Sequence, residues 1–191
     1  IRDVAVTGVQ TCALPILPAT SAIARALAEN FSSLMASLAT TLTVTLLAFL
    51  AATASALALA ILFSESRTVE RTFHPYAVVL QVTPIVAIAP LILLWIGYDR
   101  VTLAETLIAA LVAFFPVLSN STLGLRSADF NLVDLMRLYG ASRLQILWRV
   151  RLPTALPFLL SGMKTAGGLS LIGTVVAEFV AGSGKIGRAH V

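Results

Sequence analysis

From Phe31 to Ser64 the chain carries no charged side chain. A helix needs about 20 apolar residues to cross the hydrocarbon core of a bilayer, and this run exceeds that. A soluble fold could hide such a run only beneath a large polar surface, which the rest of the chain cannot supply. Of 191 residues, 58% are hydrophobic and only 12% charged, against about 25% charged in soluble domains. The composition therefore specifies an integral membrane protein. A formal charge of +4 would suit nucleic acid. The arginines, however, gather in one segment between apolar stretches, which the positive-inside rule explains more simply. The expected surroundings are membrane lipid, with no nucleic-acid partner.

Both ends read as foreign to this pattern. Residues 6–16, VTGVQTCALPI, resemble the translation of a short-read sequencing adapter, with residues 1–3 matching the adapter sequence just upstream. Residues 186–191, IGRAHV, fit the reverse complement of the same DNA. A signal peptide is not a match, because residues 1–16 lack a basic region ahead of a continuous apolar run. We therefore expect 1–16 and 186–191 to be adapter-derived, and 17–185 to carry the native fold. Cys12 and His190 fall in those ends, which leaves no cysteine for a disulfide and no metal-ligating cluster.

Along 17–185 the hydropathy pattern predicts an all-α polytopic bundle of four spans. Residues 18–30 read as a short helix at the membrane surface. Residues 31–64 form the first span, with Ala48, Ala52, Ala56 and Ala60 recurring every fourth residue as a smooth packing ridge. Residues 64–75 are a hydrophilic break. Residues 77–96 form a second span, interrupted by Pro84 and Pro90, which neighbouring helices can tolerate. A polar turn at 97–105 leads to a third span at 106–123, and 153–176 makes the fourth. Short loops leave no room for a separate soluble domain. Arg67 and Arg71 on one side, and Arg126, Arg137, Arg143, Arg149 and Arg151 on another loop two spans later, place both segments in the cytoplasm.

The second Arg-rich loop, 124–153, divides into two helices. Asn131 can cap the first, with Asp134 three residues on. Gly140 suits its left-handed C-terminal position. Ser142 opens the next helix with Gln145 at the reciprocal capping position, and Pro153 marks its boundary. This gives a helix-turn-helix joined to the following span with almost no slack.

Within this loop Gly140 is followed by nine residues, then Val150, one spacer and Leu152-Pro153. That order resembles the cytoplasmic coupling loop of bacterial ABC-importer permeases, and GASRLQILWRVRLPTALP is similar to the sulfonate, taurine, nitrate and pyrimidine-precursor group. LQVTPIVAIAPLILLWIGYD and TVVAEFVAG resemble the flanking spans of the same group. Asp134-Leu135-Met136 stands where that group usually has Glu-Ala-Ala. The resemblance implies a coupling loop formed by Asp134, Leu135, Met136, Gly140, Ala141, Val150, Leu152 and Pro153. It implies cytoplasmic ABC ATPase partners, a second permease subunit expected to be another copy of this chain, and an external substrate-binding protein. It implies a bacterial inner-membrane location and a likeness to proteins of six spans, of which four are present here. No GxxxxGK[ST] phosphate loop occurs in the sequence. The chain is thus expected to be no enzyme, with ATP and Mg bound by the partner.

Candidate pathway residues are Lys164, within an otherwise uncharged span, Gln81 and Thr83 beside the proline-interrupted span, and Glu178 near the external end, where water is expected to reach it. Gly162, Ala166, Ser170 and Thr174 form a small-residue ridge suited to helix packing. Two alternatives stay open on sequence grounds: an ion- or proton-coupled secondary transporter, and an inert truncated permease fragment.

Overall fold

The computed structural model describes residues 27–182, which are helical with short connections. The helices are α1 (Phe31–Glu65), α2 (Arg67–Val82), α3 (Ile85–Ile96), α4 (Val101–Arg126), α5 (Phe130–Leu138), α6 (Arg143–Ile146) and α7 (Leu152–Val180). A 3-10 turn at Tyr98–Arg100 precedes α4, and a π-helical turn at Leu147–Arg151 joins α6 to α7. The expected adapter-derived ends, 1–16 and 186–191, lie outside the described residues, as does the expected surface helix at 18–30 except for its last turn. The chain divides into two units between Ala39 and Thr40, within α1. In the first, the described residues open α1, where the Leu34 N–H bonds to the Asn30 carbonyl at 2.9 Å. The second holds the packed core.

The alanine ridge on α1 packs as its spacing requires. Ala48, Ala52, Ala56 and Ala60 are fully buried, while Leu46, Leu47 and Leu50 on the other faces are exposed. Ala52, Ala56 and Ala60 join Ala113 and Val117 of α4 and Ala166 of α7 in one core cluster. In a bilayer the outer leucines gain nothing by turning inward, since lipid tails are equally apolar. Association then depends on close packing of small residues.

Helices α4 and α7 make that approach at three levels. A Cβ on Gly173 would lie 2.9 Å from Ala109 Cα, one on Gly162 2.9 Å from the Pro116 carbonyl oxygen, and one on Gly124 2.8 Å from Phe158 Cβ. As residue numbers rise on α4 they fall on α7, so the two helices run antiparallel along a backbone-to-backbone seam.

The expected count of four spans is corrected to three. Phe31–Glu65, Tyr98–Arg126 and Arg143–Val180 are long and apolar enough to cross a membrane, and the segment expected at 77–96 is not. It breaks at Thr83, whose ψ of 127° is extended, because the following Pro84 excludes the helical region for the residue before it. The apolar half, α3, has 12 residues. At 1.5 Å per residue that is about 18 Å, well short of a core about 30 Å thick. The other half, α2, begins with Arg67, Glu70 and Arg71, so the expected hydrophilic break at 64–75 is mostly the first turns of a helix. Ser66 caps it, accepting from the Val69 N–H at 3.4 Å. The polar turn is shorter than expected too, because α4 starts at Val101 and takes Glu105 inside it.

Candidate functional site

The Arg-bearing ends of the helices converge. Arg151, just before α7, donates through Nη1 to Glu65 Oε1 at 3.0 Å and to the Ser64 carbonyl at 3.2 Å. Arg126, the last residue of α4, pairs with Glu70 in the first turn of α2. These contacts bring the two arginine-bearing segments to one end of the bundle.

Helix α5 projects from this end with Val133 buried and Leu132, Leu135, Leu138 and Tyr139 exposed. Its N-cap is Asp129, whose carboxylate accepts from the Asn131 N–H at 2.9 Å. The expected cap at Asn131 is thus displaced by two residues, and Asp134 instead pairs with Arg137 at 3.2 Å. The C-terminus is a Schellman motif: the Gly140 N–H bonds to the Arg137 carbonyl at 2.9 Å, and the Ala141 N–H to the Met136 carbonyl at 3.0 Å. Gly140 has φ of 75°, which a side chain would strain. Two residues later Ser142 and Gln145 close a capping box, with bonds of 2.8 and 3.3 Å. The elbow is therefore defined on both sides by local hydrogen bonds.

Beyond the elbow, Pro153 does not end a helix. Leu152 is helical, with φ −68° and ψ −44°, and one helix of 38 residues runs from Arg143 to Val180. The π turn explains how: the Leu152 N–H reaches the Leu147 carbonyl five residues back, widening the ladder where Pro153 supplies no donor. Val150, Leu152 and Pro153 of the expected coupling set thus lie on the helix that crosses the bundle. Asp134, Leu135, Met136, Gly140 and Ala141 lie on the projecting half of the loop.

Between the elbow and the helix ends is a cavity of ≈ 1050 Å³, walled by α2, the ends of α1 and α4, and the loop. A smaller cleft of ≈ 380 Å³ lies between α2 and α4 and takes in Gln81, Ser119 and Thr122. Of the four pathway candidates only Gln81 borders either cavity. The Thr83 hydroxyl donates to the Val79 carbonyl at 2.7 Å. Lys164 is exposed on α7.

Glu178 differs from expectation: it is 3% exposed rather than wet. Thr41 donates to its Oε1 at 2.7 Å, and Thr45 approaches Thr174 at 3.2 Å one turn away. Glu105, read from the sequence as the end of a polar turn, is 1% exposed. Both acids belong to the end of the bundle away from the loop, where Ala89, Ile108 and Ala177 also pack together. Sequence reasoning missed Glu105; the available signal was its place four residues before Ala109, on the face that carries Ala109 and Ala113.

Comparison with known proteins places the chain in a family. Residues 46–190 match the family described as binding-protein-dependent transport system inner membrane component. The riboflavin transport system permease protein RibX of Chloroflexus aurantiacus is 40% identical over 121 residues, 63% of this chain and 44% of its own length. A probable ABC transporter permease protein of Haemophilus influenzae is 38% identical, over 67% of this chain and 51% of its length. The formylaminopyrimidine transport permease protein ThiX of Halalkalibacterium halodurans is 32% identical, over 68% and 46%. The chain spans about half the length of these relatives. With a family match reaching from within α1 to beyond α7, the chain belongs to the binding-protein-dependent transport system inner membrane components.

Proposed function

We propose that this chain is the transmembrane permease part of an ATP-driven importer of a small solute, and that its 124–153 loop carries the motion of a partner ATPase into the membrane. The observation that carries this reading is the uninterrupted helix Arg143–Val180. A push on the exposed loop reaches the crossing helix through hydrogen-bonded backbone, with no flexible linker to absorb it. The elbow at Gly140 lets α5 present Leu135, Leu138 and Tyr139 outward, an exposed apolar surface suited to a protein partner. In this reading ATP and Mg are bound by the ATPase, a second permease subunit completes the pathway, and an external binding protein delivers solute. Lys164 is assigned to the pathway, because an exposed ammonium within a span needs water or a partner subunit rather than lipid.

The test is site-directed crosslinking after co-expression with an ABC ATPase of the same class of importer. On a Cys12→Ser background, Leu135→Cys and Tyr139→Cys are expected to crosslink to the ATPase, and Arg100→Cys, at the other end of the bundle, is not. Equal crosslinking at all three positions, or none at the loop, would sink the assignment.

A further inference from the structure

The cavity beneath the loop is charged beyond what its own ion pairs balance. Five arginines line it, Arg71, Arg126, Arg137, Arg143 and Arg151, against two acids, Glu65 and Glu70. Both acids are engaged, Glu65 by Arg151 and Glu70 by Arg126. Arg137 turns to Asp134, which does not line the cavity. Arg71 and Arg143 have no ion-pair partner among the described residues, and both are exposed and line the cavity.

Topology alone does not explain this arrangement. A positive-inside charge need only sit near the interface, as Arg149 does, exposed on the same loop and outside the cavity. Here arginines from α2, α4 and the loop line one concave volume. Its wall is partly apolar, with Leu125, Val133 and Ile146 between the charges. Its level is set by the helices that end there: α1 stops at Glu65 and α4 at Arg126, the charged ends of two helices long and apolar enough to cross a membrane. Basic pockets between helices at that level suit phosphate headgroups, and guanidinium is well matched to phosphate oxygens.

We propose that this cavity binds a phosphate-bearing anion held by Arg71 and Arg143, with an anionic membrane lipid headgroup as the source its level favours. Arg71 belongs to α2 and Arg143 to the elbow, so a shared phosphate ties the loop to the bundle. Loop position then responds to the anionic lipid content of the membrane. The cavity and its charge stand whether or not the loop docks on an ATPase, so the two readings fail separately.

The experiment titrates the purified full chain in neutral detergent with phosphatidylglycerol, with net-neutral phosphatidylcholine, and with inorganic phosphate, reading bound lipid by native mass spectrometry and the thermal midpoint in parallel. Phosphatidylglycerol is expected to bind more tightly than phosphatidylcholine. Arg71→Gln and Arg143→Gln are each expected to weaken it about fivefold, the worth of one basic residue near an anionic surface, and Arg149→Gln is expected to leave it unchanged. Displacement of the lipid by inorganic phosphate identifies a free-phosphate site, and lipid binding that phosphate does not disturb identifies a headgroup site; both outcomes support the anion cavity. It is overturned if the wild-type chain neither prefers phosphatidylglycerol nor gains stability with phosphate, a comparison that needs no variant to fold. It is equally overturned if Arg149→Gln weakens binding as much as Arg143→Gln. Loss of ATPase capture in Arg71→Gln or Arg143→Gln with lipid binding intact reassigns these arginines to a protein interface and also overturns it.

Discussion

Arg151 grips the end of α1 through two acceptors at once, the Glu65 carboxylate at 3.0 Å and the Ser64 carbonyl at 3.2 Å. One guanidinium therefore fixes the point where the loop enters the bundle. The pair is part-exposed, at 20% and 32% of side-chain area, so water screens much of its Coulomb energy. Arg151→Gln is expected to lower stability by about 1 kcal/mol, and Glu65→Gln by less, because Ser64 still holds the arginine. A double-mutant cycle read from thermal midpoints in detergent measures the coupling. A coupling of zero would show that the Ser64 carbonyl carries the contact alone.

The α4–α7 seam makes opposite predictions for glycines on one helix. Gly162 has no room: its Cβ would fall 2.9 Å from the Pro116 carbonyl oxygen and 3.2 Å from Val117 Cα, which are backbone. Gly162→Ala should force the helices apart and cost about 1–3 kcal/mol. Gly168 meets nothing within 4 Å, so Gly168→Ala should be neutral or stabilise by up to about 1 kcal/mol through helix propensity. Thermal midpoints of the two variants decide it. Similar losses at both sites would mean that the seam is not set by backbone contact.

At the other end, the Thr41 hydroxyl and Glu178 carboxylate meet across α1 and α7 within a buried environment. Interhelical hydrogen bonds in membranes average about 0.6 kcal/mol and reach about 1.7. Thr41→Val should fall in that range, and Glu178→Ala should lose more by opening a cavity beside Thr41 as well. Reversible unfolding in mixed micelles is the measurement. An unchanged Thr41→Val would mean that Glu178 is satisfied without this hydroxyl.

What could be read from the sequence was local or periodic. The Schellman turn at Gly140 and the Ser142–Gln145 box each close within a few residues, so residue types at fixed spacing sufficed. The alanine ridge of α1 follows from the helical repeat alone. The failures have a common cause in averaging or in distance. Mean apolarity over 77–96 concealed the break that Pro84 imposes on Thr83, although the rule for pre-proline residues was available. Asp129 and Asn131 are both good caps, and residue type alone does not choose between them. The burial of Glu178 depends on Thr41, 137 positions away, and the pairing of Arg126 with Glu70 spans 56; no local pattern announces either. In the candidate site, the elbow was legible and the cavity beneath it was not, because its walls come from four separate segments.

The last prediction concerns the two devices that shape the loop, Gly140 and the π turn. Gly140 stands at φ 75° with open space around it, so a side chain there is opposed by the backbone alone, by about 1–2 kcal/mol. Gly140→Asn should be milder than Gly140→Val, since Asn tolerates the left-handed region better. Either change should loosen residues 136–142 and leave the α4–α7 seam intact. Pro153→Ala acts differently. It returns an N–H to the first turn of α7, removing the reason for the ladder to widen between Leu147 and Arg151, and the helix is expected to tighten to α geometry. Losing the extra residue of the π turn rotates everything before it by about 100° relative to α7, which moves α6 and the elbow around the helix axis. Hydrogen exchange separates the two effects. Gly140→Val should raise exchange within residues 136–142 only, while Pro153→Ala should slow exchange across 147–153 and weaken the Arg151–Glu65 contact. If Pro153→Ala leaves exchange at 147–153 unchanged, the π turn is held by packing of Leu147 in the core rather than by the missing donor.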